Sequence, residues 1–145
     1  GLQWVLGRIE KPQQRVISLD LKTQRFTSNE IAQIIPISRE DPQWFIDTAL
    51  GTTIRGSEDQ LCLTRINHHY EWRKLSEFST GDKIVVFTWL LNPKIVKVTK
   101  AGQLSYTDPG VMVRVRNNYN FVVNGIVTSS RWPYLYKTLV KPKRN

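Results

Sequence analysis

The sequence predicts a mainly β protein, a compact all-β fold of bent hairpins with one or two short helices. Two observations carry that expectation. Short runs rich in β-branched and aromatic residues recur along the chain. Turn-forming residues punctuate them, the pattern of all-β architectures rather than of alternating strands and long helices.

The strand runs are residues 15–20 (Arg-Val-Ile-Ser-Leu-Asp), 83–89 (Lys-Ile-Val-Val-Phe-Thr-Trp), 95–99 (Ile-Val-Lys-Val-Thr), 111–115 (Val-Met-Val-Arg-Val) and 119–128. In the fourth run and just beyond it, Val111, Val113 and Val115 alternate with Met112, Arg114 and Arg116. A strand of that pattern turns one face to solvent. Turn signals stand at Ser79-Thr-Gly-Asp82, Asn92-Pro93, Ala101-Gly102, Asp108-Pro-Gly110 and Asn124-Gly125. Asn117-Asn118, between two strand runs, reads as a tight hairpin because Asn tolerates the left-handed backbone of such turns. Helices are expected only over residues 28–34, with Ser28 or Asn29 as the cap, and over residues 72–78.

A chain of 145 residues fits one domain with a real core. Its 40% hydrophobic content and its five Trp, five Tyr and five Phe belong to a folded chain, not a disordered one. The longest apolar runs, such as residues 85–91 interrupted by Thr88, are too short to span a bilayer. No membrane partner is expected, and no charged-then-apolar leader stands at the start. The single cysteine, Cys62, excludes an internal disulfide and fits a reducing, intracellular setting.

The order of motifs carries more than the composition. Residues 120–130 read Asn-Phe-Val-Val-Asn-Gly-Ile-Val-Thr-Ser-Ser. Upstream lie Gly51-Thr-Thr-Ile-Arg-Gly-Ser57-Glu-Asp-Gln60-Leu-Cys-Leu and Glu71-Trp-Arg-Lys-Leu-Ser-Glu-Phe-Ser-Thr-Gly-Asp-Lys-Ile-Val-Val, and before them Ile9-Glu-Lys-Pro-Gln-Gln-Arg-Val-Ile-Ser-Leu-Asp20. In that order the four segments resemble the motifs of the hedgehog/intein (Hint) family, whose domains rearrange their own peptide bonds. The resemblance spans most of residues 5–130 and implies the hedgehog/intein-like β fold. Residues 1–130 are then the Hint-like domain, its opening strand missing or trimmed, and 131–145 a basic aromatic C-terminal extension.

The resemblance also assigns positions, and several carry the wrong chemistry. Ser57 stands where the family has Thr and Gln60 where it has His. Ser129 and Ser130 occupy the terminal His and Asn positions, and Arg131 the following nucleophile position. The hedgehog version of this strand, ending Ser-Cys, is slightly closer to Ser129-Ser130. The family's frequent upstream His and Asp fall at Tyr119 and Met112. An acyl shift needs an opening Cys or Ser nucleophile and an acid that protonates the scissile amide. No Cys or Ser precedes Ser18, and the Gln60 amide donates a hydrogen bond but does not titrate near neutrality. Autoprocessing is therefore expected to be lost.

Charge gives a second clue. Of the net +9, residues 131–145 contribute +5 through Arg131, Lys137, Lys141, Lys143 and Arg144; the rest of the chain carries sixteen basic and twelve acidic side chains. A tail of that kind, with Trp132, Tyr134 and Tyr136, can attract phosphates and stack on bases, though packing on the barrel under solubilising lysines accounts for it slightly better. Lys94, Lys97, Lys100, Arg114 and Arg116 form a second basic set, joined into one positive face if the 95–99 and 111–115 strands are neighbours. His68-His69 is the only histidine pair. Adjacent strand residues point to opposite sides, so the pair is read as part of a surface loop insertion and no metal site or cofactor is expected.

These readings imply a catalytically degenerate Hint-like domain. It would serve as a structural or interaction module in a larger protein, contacting its flanking domains and DNA or RNA. Two alternatives stand beside it. One is intein-type autoprocessing, splicing or self-cleavage, with Ser129 or Ser130 reacting near the C-terminal junction or an N-terminal piece supplying the nucleophile. The other is an unrelated β-barrel that binds nucleic acid.

Overall fold

The structure, a computed structural model, describes residues 15–37, 42–105 and 110–130, and among these eleven strands in two sheets account for nearly all regular structure. The N-terminal strands β1 (Arg15–Asp20) and β2 (Arg25–Ile37) form a hairpin, with Arg15 opposite Glu30 and Asp20 opposite Arg25. Its turn is closed by Asp20, whose Oδ1 accepts the backbone N–H groups of Lys22 and Thr23 at 2.9 and 3.3 Å, the ordinary use of Asp in turns.

Beyond Glu30, β2 exchanges partners and pairs with β9 (Gly110–Val115), Ile31 opposite Val115, completing a three-stranded sheet β1-β2-β9. The segment 28–34, expected as a helix, is strand. The cause is tertiary: the Asn29 amide, a ready helix cap, is buried and donates instead to Ser18 Oγ at 3.1 Å and to the Asn117 carbonyl at 2.6 Å. Ile31 meanwhile enters the core, and pairing overrides local propensity.

The larger sheet runs β4-β3-β8-β7-β11-β5-β6, with β10 added on β11. Its strands are β3 (Trp44–Thr48), β4 (Thr53–Gly56), β5 (Leu61–Ile66), β6 (His69–Lys74), β7 (Lys83–Val86), β8 (Lys94–Gln103), β10 (Asn120–Val123) and β11 (Ile126–Ser129). Asn124-Gly125, a turn signal in the sequence, joins β10 to β11 with φ of 50° and 79° as a hairpin and splits the expected run 119–128 into two strands. Asn67-His68 makes the same kind of turn between β5 and β6, with φ of 49° and 69°. No loop insertion surrounds the histidines; that expectation is corrected to a two-residue hairpin.

Three further expectations change. The second helix shrinks to one 3₁₀ turn, Leu75–Glu77, because Trp72 is taken up by the β5–β6 pairing opposite Leu63. Ala101 and Gly102 lie inside β8 and form no turn: Ala101 packs on the core, and a Cβ at Gly102 would sit 3.5 Å from the Phe45 ring. Asn117-Asn118 does turn, with Asn118 at φ 66°, but its flanking strands belong to different sheets. The segment hands the chain from the small sheet to the large one and is not a hairpin.

Three apolar clusters hold the sheets together. One, under β3, β4 and β8, contains Ile46, Ile54, Cys62, Leu75, Ile84, Val86, Val98 and Ile126. A second joins Leu19 and Phe26 of the small sheet to Leu63, Val85 and Val127 of the large one. The third packs Ile31, Val113 and Val115 on Phe121 and Val123. Consecutive residues Ile84 and Val85, Cys62 and Leu63, and Ile126 and Val127 divide between the first two clusters, so β5, β7 and β11 are covered on both faces. That is why they read as continuous apolar runs without alternation. Each large side chain so buried contributes roughly 1.5–3 kcal/mol. Met112, which alternation places on the solvent side, is buried as well.

Candidate functional site

Three buried strands place Gln60 against the end of β11. The turn 57–60, between β4 and β5, closes by a bond from the Gln60 N–H to the Ser57 carbonyl at 3.1 Å. The 3₁₀ turn then docks on it: the Leu75 N–H donates to the Gln60 carbonyl at 2.7 Å, and Ser76 donates to the Glu58 carbonyl through both N–H and Oγ. Gly56 leaves room for the side chain, since a Cβ there would come within 3.2 Å of Gln60 Cβ.

So positioned, the Gln60 amide donates to Thr128 Oγ1 at 2.5 Å and to the carbonyl oxygen of Ser129 at 3.2 Å. Thr128 Oγ1 in turn donates to the Leu61 carbonyl at 2.7 Å and receives the Cys62 thiol at 4.0 Å. A hydroxyl has one proton and two lone pairs to give; all three are used here. Burial pushes the Cys62 thiol up to about 12, with the Thr128 hydrogen bond opposing weakly. Ser57 Oγ is buried and has no hydrogen-bond partner among the described residues.

A second latch lies alongside. Asn120, opposite Ser129 in the β10–β11 pair, accepts the Leu19 N–H on Oδ1 at 2.8 Å and donates from Nδ2 to the Leu19 carbonyl at 2.9 Å. It thereby gives β1 both hydrogen bonds that a neighbouring strand would supply. Ser130 donates its N–H to the Tyr119 carbonyl at 2.8 Å.

Gln60 and Ser129, 69 residues apart, are therefore brought together, Ser57 closes the turn that carries Gln60, and Ser130 follows directly on the strand that Gln60 holds. Arg131, Lys137, Lys141, Lys143 and Arg144 lie outside the described residues. Thr128 and Asn120 are structural members of the site that motif reading passed over. The signal for Thr128 was a hydroxyl set directly after the apolar pair Ile126-Val127; for Asn120 it was a polar side chain opening an apolar strand.

The positions of these residues invite comparison with known proteins. No family model matches the sequence, and no curated protein matches it. Solved structures do match. The PabCDC21-1 intein superposes with a TM-score of 0.73 at 21% identity, over 81% of this chain and 70% of that one. An intein from a hyperthermophile gives 0.72 at 19%, over 79% and 70%, and the DnaX mini intein from Spirulina platensis 0.65 at 22%, over 79% and 80%. The chain has the Hint fold.

Within this fold the expected basic face does not assemble as drawn. Lys94, Lys97 and Lys100 lie on β8 in the large sheet, whereas Arg114 lies on β9 in the small one and Arg116 directly follows it. The two strands are not neighbours. Arg116 is instead tied to Glu30, Nε to Oε1 at 2.6 Å, with Arg15 on the other carboxylate oxygen at 3.7 Å. Lys97 does stand directly opposite Lys83 across the β7–β8 pair. Among the described residues no group of His, Cys, Asp and Glu is placed to hold a metal ion, and no helix is long and apolar enough to cross a membrane.

Proposed function

We propose that this Hint domain keeps its peptide bonds intact and serves as a structural and interaction module, a degenerate relative of self-processing domains within a larger protein. One observation carries the reading. Both hydrogens of the Gln60 amide are committed, to Thr128 Oγ1 and to the Ser129 carbonyl. The group at the family's His position thus fastens β11, and it has no proton to deliver to a leaving amine. It could polarise the Ser129–Ser130 peptide, but the hydrogen-bonded set around it contains one titratable side chain, Cys62, held neutral far above physiological pH.

Intact-mass spectrometry tests this. The domain is expressed with its native flanks and followed over time with and without added thiol. A single full-length mass is expected. A shortened or spliced product would overturn the proposal and make Ser129 and Ser130 the site to mutate.

Contact with nucleic acid is a second reading, favoured by the exposed Lys83–Lys97 pair. Like charges directly opposite on a sheet repel, and a phosphate would relieve them. Affinity for DNA or RNA should then fall steeply with salt. Unchanged affinity in Lys83→Glu/Lys97→Glu would remove it.

A further inference from the structure

Four of the seven exposed large apolar side chains among the described residues lie in two neighbouring loops. Trp89 is 91% exposed, Leu90 60% and Leu91 54%, consecutive residues in the loop between β7 and β8. Leu21, also exposed, stands in the β1–β2 turn. The two hairpin tips are joined, because the Phe26 N–H donates to the Leu91 carbonyl at 2.9 Å.

The display is built, not frayed. Phe26 and Phe87 meet edge to face at 4.9 Å, and Phe87 meets Trp89 likewise at 5.6 Å, so an aromatic ladder runs from the second core cluster out to the tip. Thr88 Oγ1 accepts the Leu90 N–H at 3.3 Å and closes the bend. Exposed large apolar residues grouped in this way mark a contact surface.

Charge decides which surface they fit. Within residues 20–25 and 87–95 the ionisable side chains are Asp20, Lys22, Arg25 and Lys94, and the Asp20 carboxylate already accepts the turn amides. The tips are apolar at the end and basic at the rim.

We propose that the joined β1–β2 and β7–β8 tips dock peripherally on an anionic lipid bilayer, Trp89, Leu90 and Leu91 entering the interface while Lys22, Arg25 and Lys94 meet the headgroups. A fluid surface accepts a protruding tip without needing a matching pocket, and Trp favours the boundary between water and hydrocarbon. Each basic residue adds attraction to an anionic leaflet. Nucleic acid fits less well: a base can stack on Trp89, but nothing in a nucleic acid covers the adjacent leucines. The sequence expectation of no membrane partner rested on the absence of a spanning run, and peripheral contact needs none.

Vesicle co-sedimentation tests this, using phosphatidylcholine alone and phosphatidylcholine with about one third phosphatidylserine. The variants are Trp89→Ser/Leu90→Ser/Leu91→Ser and Lys22→Glu/Arg25→Glu/Lys94→Glu. The substituted side chains are exposed, and circular dichroism verifies that each variant folds. The proposal expects the native chain to bind the anionic vesicles preferentially, with salt weakening binding and each triple variant reducing it about tenfold or more. No binding to the anionic vesicles would overturn it, as would binding that the serine variant retains. Binding of a single-stranded oligonucleotide that depends on Trp89, without vesicle binding, would overturn it in favour of nucleic acid. None of these outcomes bears on whether the domain processes itself, which the mass measurement decides separately.

Discussion

Gln60 and Thr128, 68 residues apart, are joined by a hydrogen bond of 2.5 Å from Nε2 to Oγ1. The hydroxyl can accept that bond because its own proton goes to the Leu61 carbonyl. Replacing Thr128 by Val keeps the shape and removes the centre of the arrangement. The Leu61 carbonyl would lose this donor and one Gln60 hydrogen would be left buried without its acceptor, at about 1–3 kcal/mol for a fully orphaned group. Thr128→Val should therefore lower unfolding free energy in urea by about 2 kcal/mol, while Thr128→Ser keeps most of it. Equal stability of the Val variant and the native chain would show that the bond is dispensable.

Asn120 supports a companion prediction. Its amide satisfies both peptide groups of Leu19 across 101 residues, and it also donates to the Asn118 carbonyl at 2.8 Å. Asn120→Ala removes the three bonds and leaves buried peptide groups of β1 unpaired, a loss of about 3 kcal/mol. Hydrogen exchange should localise it: the Leu19 amide becomes fast while the β5–β6 hairpin stays protected. Uniform loss of protection would mean that Asn120 stabilises the whole domain and not the attachment of β1.

The runs of β1, β7, β8 and β9 and the turn at Asn124-Gly125 were legible because they rest on local chemistry, such as the left-handed backbone that Asn and Gly accept. That Gln60 and the end of β11 belong together was legible only through the ordered motifs. What sequence reading missed depends on partners distant in the chain. Asn29 looks like a helix cap until Ser18 and Asn117 are beside it, and Ala101-Gly102 looks like a turn until Phe45 covers Gly102. Likewise Lys97 and Arg114 look like one face until β8 and β9 are assigned to separate sheets.

Cys62 predicts the alkaline behaviour. Its thiol is raised from 9.0 to about 12, by burial first. The folded state therefore binds more protons than the unfolded state between those values, and stability falls as pH rises through that window. Nothing is lost below pH 9, and the loss can reach about 4 kcal/mol by pH 12. Lysines and tyrosines titrate there as well, so the comparison that isolates the thiol is native chain against Cys62→Ala. The Ala variant should show a shallower loss of stability from pH 9 upward. Parallel curves would mean that the thiolate is accommodated in the fold. Alkylation of the native protein should also be slow at neutral pH and accelerate on unfolding.

The β5–β6 turn offers a substitution that should stabilise. Asn67 and His68 both have positive φ, 49° and 69°, and His68 is exposed. A side chain in that backbone region costs roughly 1–2 kcal/mol, which glycine avoids. Glycine adds freedom to the unfolded chain, which takes back part of the gain. Asn-Gly is moreover the favoured pair for a two-residue turn whose residues both have positive φ. His68→Gly should therefore raise stability by about 0.5–1 kcal/mol, read as a higher urea midpoint with an unchanged slope. His69 remains as the first residue of β6 opposite Ile66, so the strand register is kept. A lower midpoint would mean that the His68 ring makes a contact on which the hairpin depends, and the pair would then merit study as more than a turn.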